Sequence, residues 1–326
     1  LSKILPTVTI IVPARPGDGR ILALDAARAL DYPRDLLNII VARGRQPSVQ
    51  RNTAIKAAQG ELIYFLDDDA RPIPGALRTA AEHFARPDVQ MVGGPNVCPA
   101  DAPWIERVFA VTLSSWIGFA SSRARYEPVG STRESNEKEL ILCNLVARRQ
   151  TLVELGGFDE SLYPNEENAL MDDIQKRGGK LIYDPQVIVE RRPRPTLRAF
   201  IKMLMTYGRG RAEQFRLHPT FGSALNFAPP LFCVYLLALI ILLTVPQGHD
   251  VLAVATAPLW LYLFCILAQT AASATRHGLA RSLAAMPLLV ATHIFYGFGF
   301  WRGLFTRLGN NEARPNAEVT LEEVRL

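Results

Sequence analysis

After residue 225 the chain runs through three apolar stretches, about 228–246, 251–272 and 282–301, and none of them contains Asp, Glu, Lys or Arg. Each is near the ~20 residues that carry a helix across a ~30 Å hydrocarbon core. A single stretch of this kind is compatible with a buried core helix. Three in succession predict about three transmembrane helices over 225–305. The same excess explains a chain of 326 residues that is 49% hydrophobic, too apolar for an ordinary soluble enzyme. His293 lies inside the third stretch. An ionisable group at that depth is a functional candidate by default, and a hydrogen bond to a neighbouring helix is the simpler role.

The first 190 residues follow a different pattern. Val8-Thr9-Ile10-Ile11-Val12 reads as a strand running into Pro13-Ala14-Arg15, with a helical stretch from about Arg20 to Leu30. A second strand, Leu37 to Val41, precedes a helical stretch around Ser48 to Gln59, and a third strand spans Leu62 to Leu66. Continuous apolar strands alternating with helices predict an α/β domain, a Rossmann-like and mostly parallel sheet covered on both faces. Ligands of such sheets bind beyond the carboxyl ends of the strands. Asp67, Asp68 and Asp69 stand at the end of the third strand. Two carboxylates ~5 Å apart repel by roughly 3 kcal/mol at an effective dielectric of ~20. The cluster is therefore either a solvated acidic turn or a place for a hard cation such as Mn2+ or Mg2+, which takes one or two carboxylates plus phosphate oxygens. The first strand is followed by Pro13-Ala14-Arg15-Pro16-Gly17-Asp18-Gly19, which is not a G-x-G-x-x-G turn, so no dinucleotide cofactor is expected.

A basic stretch joins the two halves. Residues 190–216 carry Arg191, Arg192, Arg194, Arg198, Lys202, Arg209, Arg211 and Arg216 against Glu190 and Glu213. Within it Leu197, Phe200, Ile201, Leu204 and Met205 recur at helical spacing, one apolar face with a cationic flank. This predicts an interfacial segment at 191–224 lying on anionic lipid, with Trp104 to Phe119 as a second such helix. The net charge of +5 is thereby assigned to membrane and anionic substrates, with no nucleic-acid partner. The positive-inside rule puts Arg191–Arg216 on the cytoplasmic side, an uncharged 246–250 loop outside, and Arg276 and Arg281 inside. Three crossings would then leave Arg302, Arg307 and Arg314 outside, so either the third stretch is re-entrant or the bias is overridden. The four cysteines show no metal-ligand spacing, the opening Leu1-Ser2-Lys3 suggests a trimmed start with no signal peptide expected, and the polar tail from Asn310 is expected to be mobile.

The segments "TVTIIVPAR", "LDYPRDLLNIIVARG", "QRNTAIKAAQGELIYFLDDDARPIPGAL", "GGFDESLYPNEENALMDDIQKRGGKLIYDP" and "YGRGRA" together resemble, in order and spacing, the family-2 glycosyltransferases with a GT-A fold. The resemblance is to bacterial membrane-anchored enzymes of polysaccharide and lipid-linked glycan assembly, and covers roughly residues 7–215. It implies a nucleotide-sugar donor, a lipid-linked acceptor and a bound Mn2+ or Mg2+. It places Asp67 and Asp69 at the two acids of the D-x-D motif, the first against the nucleotide and the second on the metal, with Asp68 in the variable position. Pro13, Ala14, Arg15, Arg43 and Arg51 complete the implied donor site. Glu167 falls where the general base stands, removing the acceptor proton for a gain of typically ~10²–10⁴-fold. Its alternative role, shared with Glu166, is as a first-turn acid favoured by the helix macrodipole. Asp159, Glu166, Arg209 and Arg211 match positions near the acceptor or phosphates. For Arg51 the alternative is a solvated helix start.

The sequence departs from the family pattern in two places. No acid follows the second strand, where Val41-Ala42-Arg43-Gly44-Arg45-Gln46 stands, so nucleotide recognition must differ there. The Q-x-x-R-W motif of processive synthases is absent, which argues for single-sugar addition. The missing acid also leaves room for a non-catalytic, membrane-bound nucleotide-sugar-binding subunit. An aspartyl phosphohydrolase is disfavoured because Pro13 stands where its nucleophile should end the first strand.

Overall fold

The computed structural model describes residues 5–17, 19–160, 166–217, 225–306 and 318–324. The chain opens with β1 (Val8–Ala14), α1 (Leu22–Ala27), β2 (Leu37–Arg43), α2 (Pro47–Ala57), β3 (Leu62–Leu66), β4 (Arg71–Pro72), α3 (Ala76–His83), β5 (Val89–Gly93) and β6 (Asn96–Val97). It continues with α4 (Trp104–Leu113), α5 (Trp116–Phe119), β7 (Arg133–Ser135), β8 (Asn144–Arg148), α6 (Arg149–Glu154), α7 (Glu166–Lys176), β9 (Lys180–Tyr183) and β10 (Val189–Glu190). Then come α8 (Leu197–Leu217), α9 (Ala228–Leu243), α10 (His249–His277), α11 (Leu279–Phe305) and β11 (Thr320–Val324). They divide into a sheet unit (residues 1–99, 121–192 and 310–326) and a helical unit (residues 100–120 and 193–309).

In the sheet unit the described strands run in the order β11-β2-β1-β3-β8-β5-β9-β7. Alternation along each strand builds a core on both faces. Ile10, Val12, Tyr64 and Leu66 join residues of α1 and α3 on one face. Ile11, Ile63 and Phe65 join Ala54 and Ile55 of α2, Leu152 of α6 and Met171 of α7 on the other. The pairing is mixed, which corrects the mostly parallel sheet expected above. β1 is parallel to β2 and β3, and β5 to β9. β3–β8, β5–β8, β7–β9 and β2–β11 are antiparallel. The apolar run of a buried strand is the same whichever direction its neighbour takes, so the pattern could not report this. A second correction concerns the tail. Thr320–Val324 is not mobile but pairs with β2 in register, Glu322 opposite Val41. β4, β10 and β6 form a small second sheet in which Glu190 pairs with Arg71.

The helical unit contains three helices long and apolar enough to cross a membrane, Leu225–Leu243, His249–His277 and Leu279–Phe305. α9 and α10 present Leu237, Ile240, Val254, Trp260 and Phe264 outward, the surface expected of helices facing lipid. Along the apolar face of α8, Phe200 and Leu204 are fully buried within the unit, Ile201 and Met205 are part-buried and Leu197 is exposed, while Arg198 and Lys202 on the cationic flank stay exposed. Phe200 stacks on Phe109 of α4 at 4.5 Å. α8 also lies close along α11: a Cβ on Gly208 would strike the Tyr296 backbone, and one on Gly299 the Met205 backbone. Small residues at such crossings let helices approach without hydrophobic gain from lipid. His293 has the structural role anticipated for it. Its Nε2 donates to the Ile117 carbonyl at 3.0 Å, leaving Nδ1 to accept from the Tyr262 hydroxyl at 3.0 Å.

Candidate active site

The carboxyl ends of β1, β2 and β3 are tied together by three consecutive buried polar residues in the first turns of α2. Gln50 Nε2 donates to the carbonyls of Ala14 (2.8 Å) and Ala42 (2.5 Å), bridging the ends of β1 and β2. Arg51 reaches the other way, its Nη2 lying 3.2 Å from Asp67 and its Nη1 3.5 Å from Glu166. Asn52 clamps the loop before α7. Its Nδ2 donates to the Phe158 carbonyl (2.8 Å) and to Glu160 (2.9 Å), and its Oδ1 accepts from the Phe158 amide (2.8 Å). The loop can take this course only because Gly157 adopts φ +81°, and a Cβ there would collide with the Asn52 side chain. Phe158 is buried and packs edge-on against Phe65, ring centroids 5.3 Å apart. With its side chain only 8% exposed, Arg51 is not the solvated helix start that was its alternative.

The D-x-D acids are held by a second arginine that was assigned to the membrane-facing stretch. Arg191 Nε lies 2.6 Å from Asp69 and its Nη2 3.1 Å from Asp67. Antiparallel pairing of β10 with β4 explains how it arrives there: Glu190 sits opposite Arg71, so the next residue falls beside the aspartates. The Arg191 amide also donates to the Val97 carbonyl at 2.9 Å. Burial alone would lower its basicity, but Asp67, the Cys143 thiol and Asp69 outweigh that and hold the guanidinium well above the usual arginine range. Burial pushes the neighbouring Cys143 thiol up to about 12, so it stands beside the acids as a neutral group.

The acids of α7 separate by burial. Glu166 is 3% exposed and faces Arg51. Glu167 is half-buried and forms no ion pair among the described residues. Asn168 accepts from Arg125 Nη2 at 3.1 Å, which fixes the helix rotation. Pro164 and Asn165, which precede Glu166 in the sequence, lie outside the described residues. Asp159 is exposed, next to the clamped Phe158.

At the carboxyl end of β2 the structure gives Arg43 two partners among the described residues. Its Nε lies 2.7 Å from Glu322 of β11, and its Nη1 donates to the Arg15 carbonyl at 3.2 Å. Its guanidinium therefore links the β1 end to the C-terminal strand, and a carboxylate does stand at the end of β2, supplied from 279 residues away. Pro13 and Ala14 are the last two residues of β1, Arg15 is exposed, and the Asp68 carbonyl accepts from Ala23 at 3.1 Å. Arg209 and Arg211 belong to α8 in the helical unit, where Arg209 faces Glu213 (3.4 Å) and Arg211 donates to Gln214 (2.9 Å). The structure thus brings Arg51, Asp67, Asp69 and Glu166 into one chain of ion pairs. It adds Gln50, Asn52, Arg191 and Glu322, of which only the polar triplet opening α2 had a local signal.

The model of the family described as "Glycosyl transferase family group 2" matches residues 62–301. A pre-mycofactocin glycosyltransferase of Mycobacterium tuberculosis is 25% identical over 248 residues, 66% of this chain and 49% of its own length. The succinoglycan biosynthesis protein ExoA of Rhizobium meliloti is 26% identical over 204 residues, 61% of this chain and 56% of its own length. The chain therefore spans about half the length of the curated relatives it matches. Among solved structures, a mannosyltransferase from Pyrobaculum calidifontis, PcManGT in complex with GDP-Man and Mn2+, superposes with a TM-score of 0.52 at 21% identity, covering 93% of this chain and 88% of that one. That likeness shows the GT-A fold.

Proposed function

Because the chain belongs to glycosyltransferase family group 2, we propose that it transfers a sugar from a nucleotide-diphosphate donor, a UDP-sugar, to a lipid-linked polyprenyl-phosphate acceptor. The transfer inverts the anomeric centre and serves cell-surface polysaccharide or glycolipid synthesis. The enzyme works at a bacterial inner membrane with its sheet unit in the cytoplasm, where nucleotide sugars are found. The observation that carries this reading is the ion-pair chain Glu166–Arg51–Asp67–Arg191–Asp69 at the carboxyl end of β3, where open α/β sheets bind their ligands.

The aspartates suit a divalent ion. Asp67 Oδ2 and Asp69 Oδ1 already converge on one cationic group, the Arg191 guanidinium. No cluster of three or more His, Cys, Asp or Glu that could hold an ion occurs among the described residues. Mn2+ or Mg2+ would rest on Asp69, beside Asp67, and complete its shell from diphosphate oxygens and water. When bound, it neutralises charge developing on the leaving diphosphate.

The protein's own groups divide the remaining work. Arg51 holds Asp67 in place, and Glu166 holds Arg51. Glu167, which forms no ion pair among the described residues, takes the acceptor hydroxyl proton as that oxygen attacks opposite the leaving group, and a single displacement inverts the centre. Asp159 borders the sugar and acceptor on the loop clamped by Asn52. Arg15 and Arg43 border the nucleotide, and Arg209 and Arg211 offer charge to acceptor phosphate.

The test is a screen of nucleotide sugars for thermal stabilisation with and without Mn2+, followed by transfer of radiolabelled sugar into lipid extract. Mn2+-dependent stabilisation with transfer is expected. Stabilisation without transfer would favour the nucleotide-sugar-binding subunit, and no stabilisation by any nucleotide sugar would overturn the reading.

A further inference from the structure

Arg191 occupies the space in front of both D-x-D carboxylates. Asp67 has a second partner in Arg51, whereas the ion-pair partner of Asp69 among the described residues is Arg191. An ion entering between the aspartates must therefore meet a guanidinium 2.6 Å from the oxygen it needs. We propose that Arg191 is an exchangeable counter-cation of Asp67 and Asp69, closing the pair when no divalent ion is present and yielding it when ion and donor arrive together. The proposal rests on the metal-dependent reading above. Displacement by the ion alone strands a part-buried guanidinium, 24% exposed, without its carboxylates, while the donor diphosphate offers it a new anionic partner. Metal binding thereby becomes conditional on the donor. A minor state with the aspartates released, populated at ~0.1–10%, would mask the intrinsic metal affinity by the inverse of that fraction, about tenfold or more.

The test compares full-length wild type, Arg191→Met and Arg191→Lys in detergent, reading free Mn2+ by electron paramagnetic resonance with and without UDP. Wild type is expected to bind Mn2+ weakly alone and tightly with UDP. Arg191→Met should bind Mn2+ alone about tenfold tighter or more, with a smaller gain from UDP, and Arg191→Lys should fall between. Arg191→Met should also melt lower in EDTA and recover with Mn2+, which a merely structural role would not give. If wild type needs UDP for Mn2+ and neither variant binds Mn2+ alone more tightly, the exchange is refuted while the metal reading stands. If no form binds Mn2+ even with UDP, the metal reading fails and the exchange with it.

An independent observation concerns α11. The C-terminal strand β11 pairs with β2 over five residues, and fourteen residues, 306–319, separate it from α11. That connection carries Arg307, Glu312 and Arg314, and such a chain cannot traverse bare hydrocarbon. Within the helical unit, α11 begins at the turn from α10 and ends against the start of α9. Its start follows the end of α10 across Gly278, beside Arg276 and Arg281. Its end meets the first turn of α9, Trp301 Nε1 donating to the Pro230 carbonyl at 3.1 Å. It also meets the cationic helix α8, where Arg216 Nη1 donates to the carbonyls of Gly303 (3.0 Å) and Thr306 (2.6 Å).

We infer that the chain crosses the membrane twice, through α9 and α10, and that α11 lies in the leaflet on the catalytic side. Arg302, Arg307 and Arg314 then fall inside, and the charge conflict of three crossings disappears. In a cysteine-free background, Gln247→Cys, Glu318→Cys and the reference Lys56→Cys are tested with a membrane-impermeant maleimide in spheroplasts and inverted vesicles. Gln247→Cys should label from outside only, and Glu318→Cys only in inverted vesicles, like Lys56→Cys. Labelling of Glu318→Cys in spheroplasts, or of Gln247→Cys only in inverted vesicles, would overturn the inference.

Discussion

Replacing Glu167 by Gln and, separately, Glu166 by Gln should give opposite signatures. Glu167 is half-buried and without an ion pair among the described residues, so the amide should change stability by less than ~0.5 kcal/mol. As the acceptor base it has no neutral substitute, and loss of a positioned base costs ~10²–10⁴-fold, or about 3–5 kcal/mol in the barrier. Glu166 is the reverse case. Its side chain and that of Arg51 are 4% and 8% exposed and lie 3.5 Å apart. Breaking a buried pair outright costs ~3–5 kcal/mol. Gln still offers an oxygen and Arg51 keeps Asp67, so about 1–3 kcal/mol is the expected loss. The assay is single-turnover transfer of radiolabelled sugar into lipid extract, alongside thermal melting and donor affinity. Glu167→Gln should bind donor and melt as wild type but transfer slowly. Glu166→Gln should melt lower and transfer in proportion to its folded fraction. Near wild-type transfer by Glu167→Gln, together with a Glu166→Gln that melts normally and is dead, would move the base one residue upstream and refute this assignment.

Three further outcomes follow from the same geometry. Asp69→Asn should abolish the Mn2+ dependence of UDP binding by calorimetry without changing the fold, and unchanged Mn2+-dependent affinity would remove it from the metal site. Asn52→Ala loses three hydrogen bonds and leaves the Phe158 amide and carbonyl without it, a cost of about 2–4 kcal/mol to be read as a lower melting temperature. A stop after residue 317 removes β11 and with it the Glu322 carboxylate that faces Arg43. UDP affinity should fall while hydrogen exchange at Ile39–Val41 rises, and unchanged protection there would show that β11 does not cover the edge.

Much of this protein is written in local pattern, because side-chain periodicity, turn chemistry and hydropathy are properties of neighbouring residues. The run Leu62–Leu66 ending in three aspartates, the two glycines before Phe158 and the charge-free stretches after residue 225 each specify their element without reference to the rest. The family resemblance extended this to Asp67, Asp69 and the Glu166–Glu167 pair. What the pattern could not carry is long-range pairing. A buried strand looks alike beside a parallel or an antiparallel neighbour, so the mixed sheet was invisible. The apolar face of α8 satisfies lipid and a partner helix equally well, and only packing shows that Phe200 and Leu204 are buried within the helical unit. Arg191 lies 122 residues from Asp69, and Glu322 lies 279 from Arg43. In the sequence one belongs to a basic stretch and the other to a polar tail. The pairing of β10 with β4 and of β11 with β2 turns them into the counter-charges of the site, because a strand register fixes which distant side chains share one end of a sheet.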